Sequence, residues 1–128
     1  MKGNRAVLYL RLSKEDADKI SKGDDSASIK NQRLLLTDYA LTHNFKIVKV
    51  YSDDDESGLY DDRPDFEKMM IDAKLNEFDI IIAKTQSRFS RNMEHIEKYL
   101  HHDLPNLGIR FIGVVDGVDT DNEENKKS

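Results

Sequence analysis

Four short apolar runs, separated by stretches of helical period, constrain this chain more than any other feature of it. Ala6-Val7-Leu8-Tyr9-Leu10, Asp79-Ile80-Ile81-Ile82-Ala83 and Arg110-Phe111-Ile112-Gly113-Val114-Val115 are nearly continuous and rich in β-branched residues, as expected of strands covered on both faces. Lys46-Ile47-Val48-Lys49-Val50-Tyr51 is a fourth run with partial alternation. Between them the period becomes helical. Ile29, Leu36, Tyr39, Ala40 and His43 fall near one face of residues 28–44. A second helix starts at Pro64, a residue suited to a first helical position, and carries Phe66, Met69, Met70 and Ala73 to about Asn76. A third uses Ile96, Leu100 and Leu104, with Pro105 and Gly108 closing it. The order strand, helix, strand, helix, strand, helix, strand predicts an α/β fold. Its three layers are a mainly parallel central sheet with helices on both faces, joined by right-handed crossovers.

The length of 128 residues suits one such domain with a single core. No apolar stretch approaches the roughly 20 residues that span a bilayer, and the N-terminal MKGNRAVLYLRLSKED has no small-residue cleavage site. With no cysteine to form disulfides or thiolate metal sites, these features predict a cytoplasmic protein with no membrane partner. The net charge of -5 is the opposite of what holds nucleic acid by bulk electrostatics. Any chemistry on DNA therefore needs locally concentrated positive charge, and affinity from a tethered partner domain.

Such a concentration is available at one edge of the predicted sheet. In a parallel fold Ser13 leaves the first strand at its carboxyl end, two residues after Arg11, and the third run delivers Lys84, Arg88 and Arg91 to the same edge. Open α/β sheets put their sites there. Arginine keeps its charge at every working pH and forks onto phosphate oxygens. Two polar segments, Asp16–Ala27 and Ser52–Arg63, read as irregular loops at that edge, and Asp116–Ser128 reads as a charged tail with no element that would seal a core.

Several other readings are weaker. Ser13, followed by Glu15 and Asp16, has the spacing of a simple helix cap. Asp53, Asp55, Ser57 and Gly58 fit the first, third, fifth and sixth places of a calcium loop, but the twelfth place, which requires a bidentate glutamate, is Pro64. The segment reads as a solvated loop. A phosphate-accepting receiver domain needs an aspartate where Lys84-Thr85 stands. His101 and His102 diverge by about 100° on a helix and read as surface residues. No GxxxxGK[ST] loop supports nucleotide hydrolysis.

Taken together, Tyr9-Leu10-Arg11-Leu12-Ser13, Ser28-Ile29-Lys30-Asn31-Gln32-Arg33, Tyr51-Ser52-Asp53 with Ser57-Gly58, Asp62-Arg63-Pro64, Ser87-Arg88-Phe89-Ser90-Arg91-Asn92 and Gly117-Val118-Asp119-Thr120 resemble the catalytic domain of serine site-specific recombinases. The ordered set covers about residues 5–120 and looks most like the large members of mobile elements, the integrases and transposases. The resemblance implies a resolvase-like catalytic domain over residues 1–120. Residues 121–128 would be a charged tail leading to an oligomerisation helix and DNA-binding domains. It implies that Ser13 attacks a DNA phosphodiester to give a 5′-phosphoserine, with Arg11, Arg63, Arg88 and Arg91 as the active-site arginines. Gln32, Asp53 and Lys84 would be supporting residues. No metal, cofactor or small-molecule ligand is implied. The implied partners are DNA and further copies of the protein, a homodimer and a synaptic tetramer in the full-length enzyme, with the isolated domain weakly active or inactive. Ser87 stands where small members commonly carry aspartate.

Two rival readings use the same residues differently. One is a noncatalytic regulatory or interaction module that retains the recombinase fold. The other is an acidic, cation-binding α/β domain.

Overall fold

The apolar runs pair as the alternation requires. The computed structural model describes residues 3–12, 14–24, 28–54, 64–89 and 98–121. β1 (Arg5–Leu12) leads through α1 (Lys14–Ser21) and α2 (Ile29–Thr42) to β2 (Lys46–Asp54), and α3 (Pro64–Lys74) leads to β3 (Ile80–Ala83). After α4 (Gln86–Phe89), a π-helical stretch, Tyr99–Asp103, runs into α5 (Leu104–Asn106), followed by β4 (Arg110–Gly113) and β5 (Val118–Asp119).

The sheet order is β2-β1-β3-β4-β5, with β1 to β4 parallel and β5 antiparallel to β4. From β1 the chain first steps outward to β2, then reverses, crossing to β3 and on to β4. Crossovers of constant hand must then change faces at the reversal, and the core divides accordingly. Ala6, Leu8, Leu10, Ile80, Ile82 and Ile112 pack on Leu36 and Ala40 of α2. Val7, Tyr9, Ile81, Ala83 and Phe111 pack on Phe66, Met69 and Ala73 of α3, with Phe89 and Leu104. Period-two alternation along β1 therefore serves both layers, which makes β1 an almost fully buried central strand. This is the expected three-layer α/β architecture.

Helix boundaries follow local chemistry. Ser28 caps α2, its hydroxyl accepting from the Asn31 amide at 3.2 Å. Asn44 and Asn76, with φ of 60° and 61°, and Gly108, with φ of 74°, turn the chain out of α2, α3 and α5 in the left-handed region.

Three expectations need correction. Residues read as an irregular loop from Asp16 include most of α1. Among the described side chains of this mainly polar helix, Asp16 is the one that is buried. Pro105 does not close the third helix: it lies within α5, which continues directly from the π-helical stretch, and the chain turns out only at Gly108. The segment from Asp116 is not simply a tail. Val118 packs on the core, and Asp119 forms a two-pronged ion pair with Arg110 at 2.9 and 2.6 Å.

Candidate active site

The reversal of strand order puts a crevice between the carboxyl ends of β1 and β3, where sheets of this kind place their sites. β1 overshoots its neighbour: Tyr9 lies level with Ala83, the last residue of β3, while Arg11 lies level with Asp53 of β2. The main-chain groups of Arg11 on the β3 side thus have no strand to pair with. Gln32 of α2 replaces it. Its Oε1 accepts from the Arg11 amide at 3.3 Å, and its Nε2 donates to the Arg11 carbonyl at 3.0 Å. Both residues are about 1% exposed, so a side-chain amide continues the ladder for one residue where the site begins.

Asp53 organises the second approach to this edge. Its carboxylate accepts from the Tyr9 hydroxyl at 2.8 Å and from the amides of Asp65 and Phe66 at 3.0 and 2.9 Å. Those amides belong to the first turn of α3, whose unpaired donors and positive dipole end favour a carboxylate. Asp65 returns the contact by accepting from the Ser52 amide at 3.0 Å. The end of β2 and the start of α3 are thereby bolted together, directly after Arg63 in the chain.

The third approach is α4. The Gln86 amide donates to Asp116 at 2.8 Å, and the Phe89 ring is completely buried. A Cβ at Gly113 would lie 2.3 Å from the Asp116 carboxylate and would push it away from its present place against α4. Lys84 is half-buried at the end of β3, and its carbonyl accepts from the Val115 amide at 2.8 Å.

Of the residues expected in the site, Arg11, Gln32, Asp53 and Lys84 are thus at one edge of the sheet. Arg88 lies in α4, where only its backbone is described, and Ser13, Arg63 and Arg91 lie outside the described residues. His101 and His102 are exposed on the π-helical stretch, and among the described residues no cluster of histidine, aspartate or glutamate is arranged to hold a metal. Sequence reasoning passed over Tyr9, Asp116 and the burial of Asp16. For Tyr9 a signal existed, since it shares the face of Arg11 two residues on. Nothing in the local sequence announces that Asp116 caps a helix thirty residues earlier.

A family model, the resolvase N-terminal domain, matches residues 6–127. The chain belongs to this family. Solved structures agree with the assignment. The resolvase-family fold described here is similar to the N-terminal catalytic domain of TP901-1 integrase, with a TM-score of 0.80 at 22% identity over 96% of this chain and 86% of that one. It is also similar to a resolvase family site-specific recombinase from Streptococcus pneumoniae, with a TM-score of 0.75 at 23% identity over 94% and 78% of the two chains. The C-terminal catalytic domain of ISC1926 TnpA, an IS607-like serine recombinase, gives 0.63 at 26% identity over 84% and 67%. No curated protein matches by sequence. Among the described residues of this resolvase-family domain, no helix is long and apolar enough to cross a membrane.

Proposed function

We propose that this resolvase-family domain cleaves and rejoins DNA during site-specific recombination of a mobile element, with Ser13 as nucleophile. The Ser13 oxygen attacks a backbone phosphorus, the bond from phosphorus to the 3′ oxygen breaks, and the 3′ oxygen leaves with a proton as a hydroxyl. The product is a 5′-phosphoserine. A 3′-hydroxyl from a different strand then attacks that phosphorus and releases the serine. The covalent link conserves the phosphodiester, so the exchange divides into two similar transfers and needs no nucleotide hydrolysis. Arg11, Arg63, Arg88 and Arg91 neutralise the nonbridging oxygens as charge develops on them.

The observation that carries this reading is the overshoot of β1. The strand that leads into Ser13 extends past β3 into the crevice at the switch in strand order, with Arg11 held there by Gln32. The starts of α3 and α4, which adjoin or contain the other arginines in sequence, are fixed at the same edge by Asp53 and Asp116. The net charge of -5 supports an arrangement in which affinity for DNA comes from other domains and from partner copies of the protein, while this domain supplies the chemistry.

The test is covalent capture. Full-length protein is incubated with labelled nicked duplexes whose sequence is randomised around the nick, and protein-linked DNA is recovered under denaturing conditions. Wild type is expected to give an adduct at Ser13, and Ser13→Ala none. An adduct from Ser13→Ala overturns the nucleophile assignment, and no adduct from wild type favours the noncatalytic module.

A further inference from the structure

The aromatic residues behind the site form a pattern that a general hydrophobic core does not require. Tyr9, Phe66 and Phe89 meet as a triangle of ring edges. The centroids of Tyr9 and Phe66 are 5.6 Å apart, those of Tyr9 and Phe89 6.5 Å, and those of Phe66 and Phe89 5.0 Å, with interplanar angles of 70°, 78° and 69°. The three rings come from three different segments. Tyr9 stands two residues before Arg11, Phe66 three after Arg63, and Phe89 directly after Arg88 and two before Arg91. Tyr99 closes the group from beyond, with its ring 5.3 Å from Phe66 and 6.2 Å from Phe89. Arg91 is therefore bracketed in sequence by two rings of one cluster.

We propose that Tyr9, Phe66 and Phe89 are positioning residues, a triangle locked to Asp53 through the Tyr9 hydroxyl, which fixes the relative placement of the three arginine-bearing segments. The inference rests on the catalytic reading above. Edge-to-face rings prefer particular angles as well as contact, so a move of one segment tilts the other two. The Tyr9 hydroxyl adds a fixed direction, because its acceptor also holds the first amides of α3. Leucine at Phe89 would fill much of the volume but carries no such angular preference. Arginines that must converge on one phosphate are sensitive to this, since misplacement by about 1 Å can slow a positioned reaction by on the order of 10²-fold.

The test uses the duplex captured by wild-type full-length protein and measures two quantities, the adduct-forming rate at saturating DNA and the DNA concentration at half-saturation. Tyr9→Phe keeps the ring and removes only the hydroxyl. Phe89→Leu keeps an apolar side chain and removes the ring edge. Ile112→Val, a core change on the opposite face of the sheet, controls for lost stability, and all are compared at a temperature where each is fully folded. The saturating rate is expected to fall roughly tenfold to 10²-fold in Phe89→Leu and several-fold in Tyr9→Phe, by the same placement argument. Half-saturation stays put, and Ile112→Val matches wild type. If Tyr9→Phe and Phe89→Leu keep the rate of Ile112→Val, the positioning role is overturned. If Phe89→Leu does not fold, Tyr9→Phe decides. Absence of an adduct from wild type instead defeats the catalytic reading, so the two failures are distinct.

Discussion

Asp53 gives the sharpest stability prediction, because each donor around it is identified. Replacing it with alanine removes the acceptor for the Tyr9 hydroxyl and for the amides of Asp65 and Phe66. The hydroxyl and the Phe66 amide are in buried hydrogen bonds, whereas the Asp65 amide is only part-buried, so water can replace its partner. A buried donor left unpaired costs about 1–3 kcal/mol. Two such donors, together with a small loss at the third, give about 3–5 kcal/mol, a large share of the roughly 5–15 kcal/mol that stabilises a domain. Tyr9→Phe removes one donor but leaves the carboxylate with two amides, and should cost about 1 kcal/mol. In the double variant no hydroxyl is left stranded. Its loss should therefore fall short of the sum of the single losses by about 1–2 kcal/mol. Urea unfolding of the four proteins, read as midpoints at constant slope, measures this coupling. Additive losses would refute the clamp.

Two further predictions concern the edges of the sheet. Gln32→Leu strands the Arg11 amide and carbonyl, both buried, and should lower unfolding stability by about 2–4 kcal/mol in the same urea assay. In acid, the Arg5 guanidinium holds the Asp79 carboxyl below the usual carboxylate range. Burial pushes Asp119 up, but the Arg110 guanidinium and the Asp121 amide more than offset it and leave it low as well. Carboxyls depressed in the folded state contribute stability above their unfolded value of about 3.9 and lose it as the pH falls through the folded values. The urea midpoint should therefore be nearly level from about pH 7 to 5 and drop below about pH 4. Asp79→Asn should flatten that drop, and an unchanged drop would refute the assignment.

Much of the architecture was legible because β1 and β3 are short, apolar and covered on both faces, so burial and sequence pattern coincide. α1 was not, because its eight residues carry a mainly polar pattern and the one buried among its described side chains, Asp16, is itself an acid. β5 is two residues long, below the length at which alternation can be recognised, and it is held by tertiary contacts, Arg110 to Asp119 and the Phe111 amide to the Thr120 hydroxyl. The candidate site divides in a similar way. Arginines spaced after strands can be read from sequence because their chemistry lies in the side chain. Gln32 and Asp53 could be singled out only through the motif they share with recombinases, since what they do here is directed at the main chain of distant segments, which no local spacing encodes.

Among the described residues, carboxylates at the two edges of the sheet have different partners, and under the proposed function this bears on how an acidic domain would address a phosphate. Arg5 and Arg110 begin β1 and β4, at the amino edge, and each is forked onto one carboxylate, Asp79 and Asp119 respectively. Those pairs join strand starts to neighbouring segments. They are partly exposed, so their electrostatic contribution to stability is modest. Two carboxylates at the carboxyl edge, Asp53 and Asp116, are directed at other donors. Asp53 faces a hydroxyl and the amides of a helix start, and Asp116 faces the amide that opens α4. An acid satisfied by main-chain donors has less capacity left to neutralise a nearby guanidinium, and it still fixes the segment that bears one. Net charge is consequently a poor guide to this domain. Under the proposed function, substitutions that free Asp53 or Asp116 from those amides should therefore slow adduct formation more than substitutions that merely change the total charge.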